Sequence, residues 1–200
     1  MGSSEIREPI QKRSIEKKEK IIESGFELIC KQGYHNTNTA EIAKAAGVST
    51  GIVYQYFEDK HAIFICGLEK YADNIFYPIP DIPEKKFNKN NFEKVLKKMI
   101  DTYIESHKLS ESAHQEIMAM THSDEKVSYY FFKREMEITN TISTVLKNNG
   151  FPETNLTEKV HIMIGIIDNL CHEIVYHKHK ELNYDVMKKI VIKNILTLFK

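Results

Sequence analysis

Apolar residues in this 200-residue chain recur at intervals of three and four, without sustained alternation, and only eight glycines and five prolines interrupt them. That period belongs to one face of a helix, not to the two-residue repeat of a strand. The chain is therefore expected to be all-α. A first helix runs from Ser14, whose hydroxyl suits an N-cap, through Ile21, Ile22, Phe26 and Ile29 to a stop at Gly33. Asn38, with Glu41 three residues later, makes a capping box for a second helix that ends at Gly47. Ser49 caps a third reaching about Phe57, and Asp59 caps a fourth carrying Ile63, Phe64, Leu68 and Tyr71. Pro78, Pro80 and Pro83 then exclude helix, because each lacks an amide donor and disfavours the α region in its predecessor. Beyond them longer helices are expected at about 91–107, 111–121, 124–149, 157–179 and 184–199, with a break at Gly150 and Pro152.

The 28 basic residues balance the 28 acidic ones, so no whole-molecule field draws the chain to nucleic acid, an anionic membrane or an acidic substrate. Any DNA-binding surface must be local. The apolar run Ile162 to Ile167 falls far short of the roughly 20 residues that span a bilayer, so no membrane association is expected. Lys12, Arg13, Lys17, Lys18 and Lys20 precede no signal-like apolar run, which points to the cytoplasm. Three separated cysteines, Cys30, Cys66 and Cys171, suit reduced packing positions better than disulfides or a Cys-x-x-Cys metal site.

The segment Ile42 to Phe57 has the spacing of a helix-turn-helix. Ile42 and Ala46 lie one turn apart on an inner face, Ala43 is small where two helices approach, and Gly47 suits the turn. Val48, Val53 and Phe57 close the small core from the other side. Turning the third helix about 100° per residue sets Gly51 and Gln55 opposite Val53 and Phe57, with Ile52, Tyr54 and Tyr56 on the flanks. Gly51 permits close backbone approach, Gln55 can hydrogen-bond a base edge such as adenine, and Ile52 or a tyrosine ring can meet a thymine methyl. Phosphates would be held by Thr37, Asn38, Thr50, Tyr54, Tyr56 and Lys60, mostly through hydroxyls and helix N-terminal amides.

From Lys17 to Phe64 the chain resembles the DNA-binding domain of the TetR family of transcriptional regulators (TetR/AcrR-like). The residues that carry the resemblance are Ile21-Ile22, Leu28-Ile29, Gly33-Tyr34, Thr37, Glu41-Ile42-Ala43, Ala45-Ala46-Gly47-Val48-Ser49, Gly51, Tyr54, Tyr56-Phe57, Lys60 and Phe64. The resemblance implies an N-terminal three-helix, homeodomain-like helix-turn-helix whose third helix enters the major groove, and a fourth-helix lysine on a phosphate. It implies DNA contacts from Thr37, Asn38, Thr39, Ser49, Thr50, Gly51, Ile52, Tyr54, Gln55, Tyr56 and Lys60. Five positions depart from the family pattern: Ser24-Gly25 replaces a pair usually filled by alanines, Thr39 stands where an apolar residue is common, and Thr50 and Ile52 stand where basic and hydroxyl residues are frequent.

The expected organisation is an arm over 1–13, a helix-turn-helix domain over 14–58, a connecting helix over 59–77 and a helical regulatory and dimerisation domain over 78–200. The helix from Thr157 is apolar over most of its circumference and that from Tyr184 carries Met187, Ile190, Val191, Ile195 and Leu198. Both suit the four-helix-bundle dimer that the resemblance implies, and a homodimer is expected to read a symmetric operator. Met99, Tyr103, His107, His114, Met118, Phe131, Phe132 and Met136, facing Met163, Ile167 and Asp168, suit an effector that is largely apolar or aromatic. The same residues equally suit a packed core. Asp168 interrupts an apolar helix and could orient a cationic or hydroxylated ligand, cap, or pair across a dimer.

His172 and His177 resemble a zinc-protease motif but lie five apart, about 140° around a helix, and so cannot share a metal without distortion. His177 and His179 are instead expected to meet helix-end carbonyls. No phosphate-binding glycine loop, nucleophile elbow or paired catalytic carboxylate stands out. Neither catalysis, a cofactor nor a metal is expected. The sequence thus favours a dimeric, ligand-released repressor on an inverted-repeat DNA operator; the competing reading is a helical small-molecule-binding or interaction module that retains the fold without binding DNA.

Overall fold

The computed structural model describes residues 11–71, 88–108 and 111–200. Its helices are α1 (Lys12–Gln32), α2 (Thr39–Ala46), α3 (Thr50–Tyr56), α4 (Lys60–Tyr71), α5 (Phe92–Lys108), α6 (Glu111–Ser123), α7 (Glu125–Asn148), α8 (Leu156–Val175) and α9 (Tyr184–Leu198), with a 3-10 turn at Lys89–Asn91 leading into α5. No strand occurs among the described residues, and no helix among them is long and apolar enough to cross a membrane. The proline segment at 78–83, the N-terminal part of the expected arm and the end of the expected connecting helix lie outside the described residues.

The start of α1 and the end of α8 differ from the sequence reading. α1 begins before Ser14, because the amides of Ser14 and Ile15 both reach the Gln11 carbonyl. α8 ends at Val175 instead of continuing to His179. Beyond that end, the His179 amide donates to the Tyr184 hydroxyl at 2.7 Å and its ring faces Glu173 at 3.8 Å, so the expected carbonyl role of His179 gives way to side-chain partners.

The chain forms two compact units, one of residues 1–74 with 112–127 and the other of 75–111 with 128–200. Most of α6 and the first residues of α7 belong to the first unit. Long-range bonds from Tyr34 and His61 to Glu116 and Asp124, described below, hold them there.

In the first unit α1 packs on α2 and α4 around Ile21, Ile29, Ile42, Val53, Ile63, Phe64 and Leu68, all fully buried. The crossing depends on Gly25: a Cβ there would stand 2.7 Å from Ile63 Cγ2 and 3.0 Å from Ile42 Cγ2. Gly25 thus leaves room for the Ile42 and Ile63 side chains. In the second unit α5, α8 and α9 enclose Leu96, Ile100, Val160, Met163, Leu170 and Ile195, and the rings of Phe92, Phe151 and Phe199 meet edge to face at one end. An ion pair from Lys188 to Asp101 ties α9 to α5. None of the three cysteines is in a disulfide, and burial above all pushes the Cys30 and Cys171 thiols up to about 12. Both are packing residues.

Candidate nucleic-acid interface

The loop from Gly33 to Asn38 decides where the next two helices stand. Thr37 is 2% exposed, and its hydroxyl donates to the Gly33 carbonyl at 2.9 Å. The Tyr34 peptide is held from both sides. Its N–H donates to the Glu116 carboxylate at 2.5 Å, and its carbonyl accepts from the Lys60 ammonium, also at 2.5 Å. Lys60 donates again to the Thr37 carbonyl at 2.8 Å and lies 4.3 Å from the Tyr34 ring centroid, a cation over an aromatic face.

One residue along α4, His61 Nε2 stands 2.8 Å from Asp124 Oδ2. Burial alone would raise the Asp124 pKa, but the Val127 amide, His61 and the Lys126 amide together hold it below the ordinary carboxylate value. Burial, reinforced by Asp59 and Asp124, pushes the Tyr34 hydroxyl up.

The helix-turn-helix follows from local chemistry. Asn38 accepts from the Glu41 amide and Glu41 returns the bond to the Asn38 amide, each at 3.0 Å, which closes the capping box that starts α2. α2 ends at Gly47 in the left-handed region, φ 68° and ψ 33°, where a residue without Cβ is unstrained. Val48 N–H turns back to the Ala43 carbonyl at 2.9 Å, and Ser49 Oγ accepts from the Ile52 amide at 3.4 Å to cap α3. Across α3, Val53, Tyr56 and then Phe57 are buried, while Gly51, Tyr54 and Gln55 are exposed.

Among the residues expected at DNA, Asn38, Ser49, Gly51, Tyr54 and Gln55 are exposed, Thr39, Thr50, Ile52 and Lys60 half-buried, and Thr37 and Tyr56 buried. The side chains of Thr37 and Lys60 are directed at loop carbonyls. α3 itself carries no charged residue. Its neighbours do: Lys18 Nζ is 5.8 Å from the Phe57 ring centroid, Lys20 Nζ lies 3.7 Å from where a Cβ on Gly47 would be, and Lys44 is exposed on α2. The basic run in α1 is visible in the sequence, but only packing brings it beside the α2–α3 turn.

Residues 21–65, which contain this geometry, match the family profile of the bacterial regulatory proteins, tetR family. Over those residues the chain is similar to that family. Among curated relatives, the uncharacterized HTH-type transcriptional regulator YerO of Bacillus subtilis is 24% identical over 188 residues, which is 90% of this chain and 63% of that protein. The fatty acid metabolism regulator protein of the same species is 35% identical over 91 residues, 45% of this chain and 47% of the relative. The matches thus span less than two thirds of either relative's length. A Mesorhizobium loti protein assigned to the TetR-family transcriptional regulators shares the fold with a TM-score of 0.68 at 17% identity, covering 94% of this chain and 97% of the other.

The residues expected at an effector are spread over both units, His114 and Met118 in the first and the others in the second. Met99, Tyr103, Phe131 and Met136 are half-buried, Met163 and Ile167 are in the core, and Phe132 is 66% exposed. Asp168 is partnered within its own unit: the Tyr103 hydroxyl donates to Oδ1 at 3.0 Å, and His172 Nε2 lies 3.6 Å from the same atom. His107 is 1% exposed with Nδ1 2.9 Å from the Tyr103 carbonyl. His172 and Tyr176 join this group and were not among the expected site residues. Their signal in the sequence is faint, since nothing there reveals that α5 and α8 lie side by side.

Proposed function

We propose that this chain is a dimeric transcriptional repressor that binds an inverted-repeat DNA operator through α3 and is released by a small-molecule effector. The observation that carries the reading is the outward face of α3, where Gly51, Tyr54 and Gln55 are exposed while Val53, Tyr56 and Phe57 anchor the helix from behind. An uncharged face reads base edges, and Lys18, Lys20 and Lys44 supply cations for the flanking phosphates. Thr37 and Tyr56, both buried, act by positioning the interface; Lys60 fixes the loop that leads into α2 while adding positive charge beside it. A DNA partner puts the protein in the cytoplasm.

Dimerisation is assigned to α8 and α9, where Ile162, Val186 and Ile190 are about half exposed at 49%, 48% and 53%. Apolar side chains at these positions suit burial against a second copy. An effector held in the second unit by Met99, Tyr103, Phe131 and Met136 would favour one spacing of the paired recognition helices over another. By linkage, DNA and effector then oppose each other's binding.

Selection of bound sequences from a random duplex library, followed by a salt titration on the winner, tests the proposal. An enriched inverted repeat whose affinity falls steeply with salt is the expected result. Absence of enrichment at low salt, with protein extracted free of small molecules, would overturn it.

A further inference from the structure

Helices commonly end by turning the next amides back onto their own last carbonyls. α1 does so once. The Gly33 amide reaches the Ile29 carbonyl at 2.8 Å, and Gly33 itself stands at φ 93° and ψ 146°, a conformation open to glycine. The following amide, that of Tyr34, donates instead to Glu116 Oε1 on α6, 82 residues away, at 2.5 Å. Tyr34 and Glu116 belong to the same compact unit.

The stability of α1 does not call for a carboxylate at that place. The carbonyl end of a helix carries partial negative charge and disfavours an acidic neighbour. Glu116 nevertheless lies there: Oε2 is 3.7 Å from where a Cβ on Gly33 would be, and its charge adds to burial in pushing up the Cys30 thiol in the last turn of α1. What the carboxylate gains is the Tyr34 N–H. The Tyr34 carbonyl is held as well, accepting from Lys60 Nζ at 2.5 Å and from the Thr37 amide at 3.4 Å, and Lys60 continues to the Thr37 carbonyl at 2.8 Å. An anion on the N–H and a cation on the C=O thus fix the backbone where the 34–37 turn begins. Asn38 follows directly, and its capping box starts α2, from which Gly47 and Ser49 set α3. The direction in which α2 and α3 leave α1 therefore depends on Tyr34.

We propose, resting on the operator-binding reading above, that Glu116 is a positioning residue for DNA recognition: by holding the Tyr34 amide it orients α2 and α3, so the base-reading face depends on a side chain of α6. Glu116 acts through the loop and not by touching DNA.

The full chain and its Glu116→Ala, Glu116→Asp and Glu116→Gln variants are titrated with the operator from duplex selection and with a scrambled duplex of equal length, at a temperature where circular dichroism shows each folded. Aspartate keeps the charge but shortens the reach by one methylene; glutamine keeps the reach and an acceptor oxygen. The alanine and aspartate variants are expected to bind the operator about tenfold more weakly, the size of one hydrogen bond to a charged group, with scrambled-duplex binding unchanged. The glutamine variant should recover most of that loss, and Gln115→Ala, an exposed change one residue away, should cause none. In ¹⁵N-labelled protein the Tyr34 amide proton should move upfield in the alanine and aspartate variants. A residue that only supports the fold would lower the urea midpoint and leave the affinity of the folded chain intact. Parent-like operator binding by the alanine and aspartate variants therefore overturns the proposal, as does an equal loss on both duplexes or a glutamine variant no better than alanine. If the alanine variant does not fold, the aspartate variant decides. A parent chain that selects no operator defeats the operator reading and this role with it, whereas one that selects an operator but is indifferent to Glu116 defeats the positioning role alone.

Discussion

Gln55 and Lys60 both belong to the proposed interface, but their surroundings assign them different work. Gln55 is exposed and Lys60 is held by two backbone carbonyls. Gln55→Ala is predicted to relax the preference at one base pair by about 1–3 kcal/mol, read by competition with singly substituted duplexes. Lys60→Ala is predicted to weaken all duplexes alike and also to lower the urea midpoint, with a stability loss of about 1–3 kcal/mol as the carbonyls lose a charged donor. At Gly25 the prediction is steric. Alanine gains roughly 1 kcal/mol in helix propensity, but its methyl would press on Ile63 and Ile42, an overpacking cost of about 1–3 kcal/mol. Gly25→Ala should therefore lower the urea midpoint, and a higher one would refute the account.

Helix ends were legible wherever a cap is local. The Asn38–Glu41 box, Gly47, the Ser49 cap and the bond from the Ala62 amide to Asp59 all lie within four residues of their partners, and the sequence pattern contains both halves. Ser14 misled because a plausible capping residue also fits inside a first turn that Gln11 already starts. The bond between His61 and Asp124 joins residues 63 apart and was invisible for that reason. It makes a prediction about α4 and the segment from α6. The folded-state pKa of Asp124 is depressed, so its contribution is present above the ordinary value of 3.8 and is lost as pH falls from 3.8 through the depressed folded value. Asp124→Asn should be less stable than the parent at neutral pH, with the gap closing below about pH 4 in chemical denaturation. A gap that stays constant across that window would refute this linkage.

For the whole molecule, the proposed dimer carries the strongest prediction. Ile162→Glu combined with Ile190→Glu should shift sedimentation from dimer to monomer and abolish operator binding, because each introduces charge into an apolar contact and single half-sites bind weakly. An unchanged dimer would move the interface off these faces of α8 and α9. The all-α class and the helix-turn-helix were settled by the sequence, since helix period, caps and the α2–α3 turn are encoded within a few residues of one another. Tertiary structure alone decided that residues 112–127 pack with the N-terminal unit, that Glu116 and Lys60 grip the Tyr34 peptide, and that the Tyr103 hydroxyl reaches the Asp168 carboxylate. Those pairings join residues tens of positions apart, and which distant carboxylate or imidazole meets which depends on the packing of large side chains between helices, a property of the folded whole and not of any window of sequence.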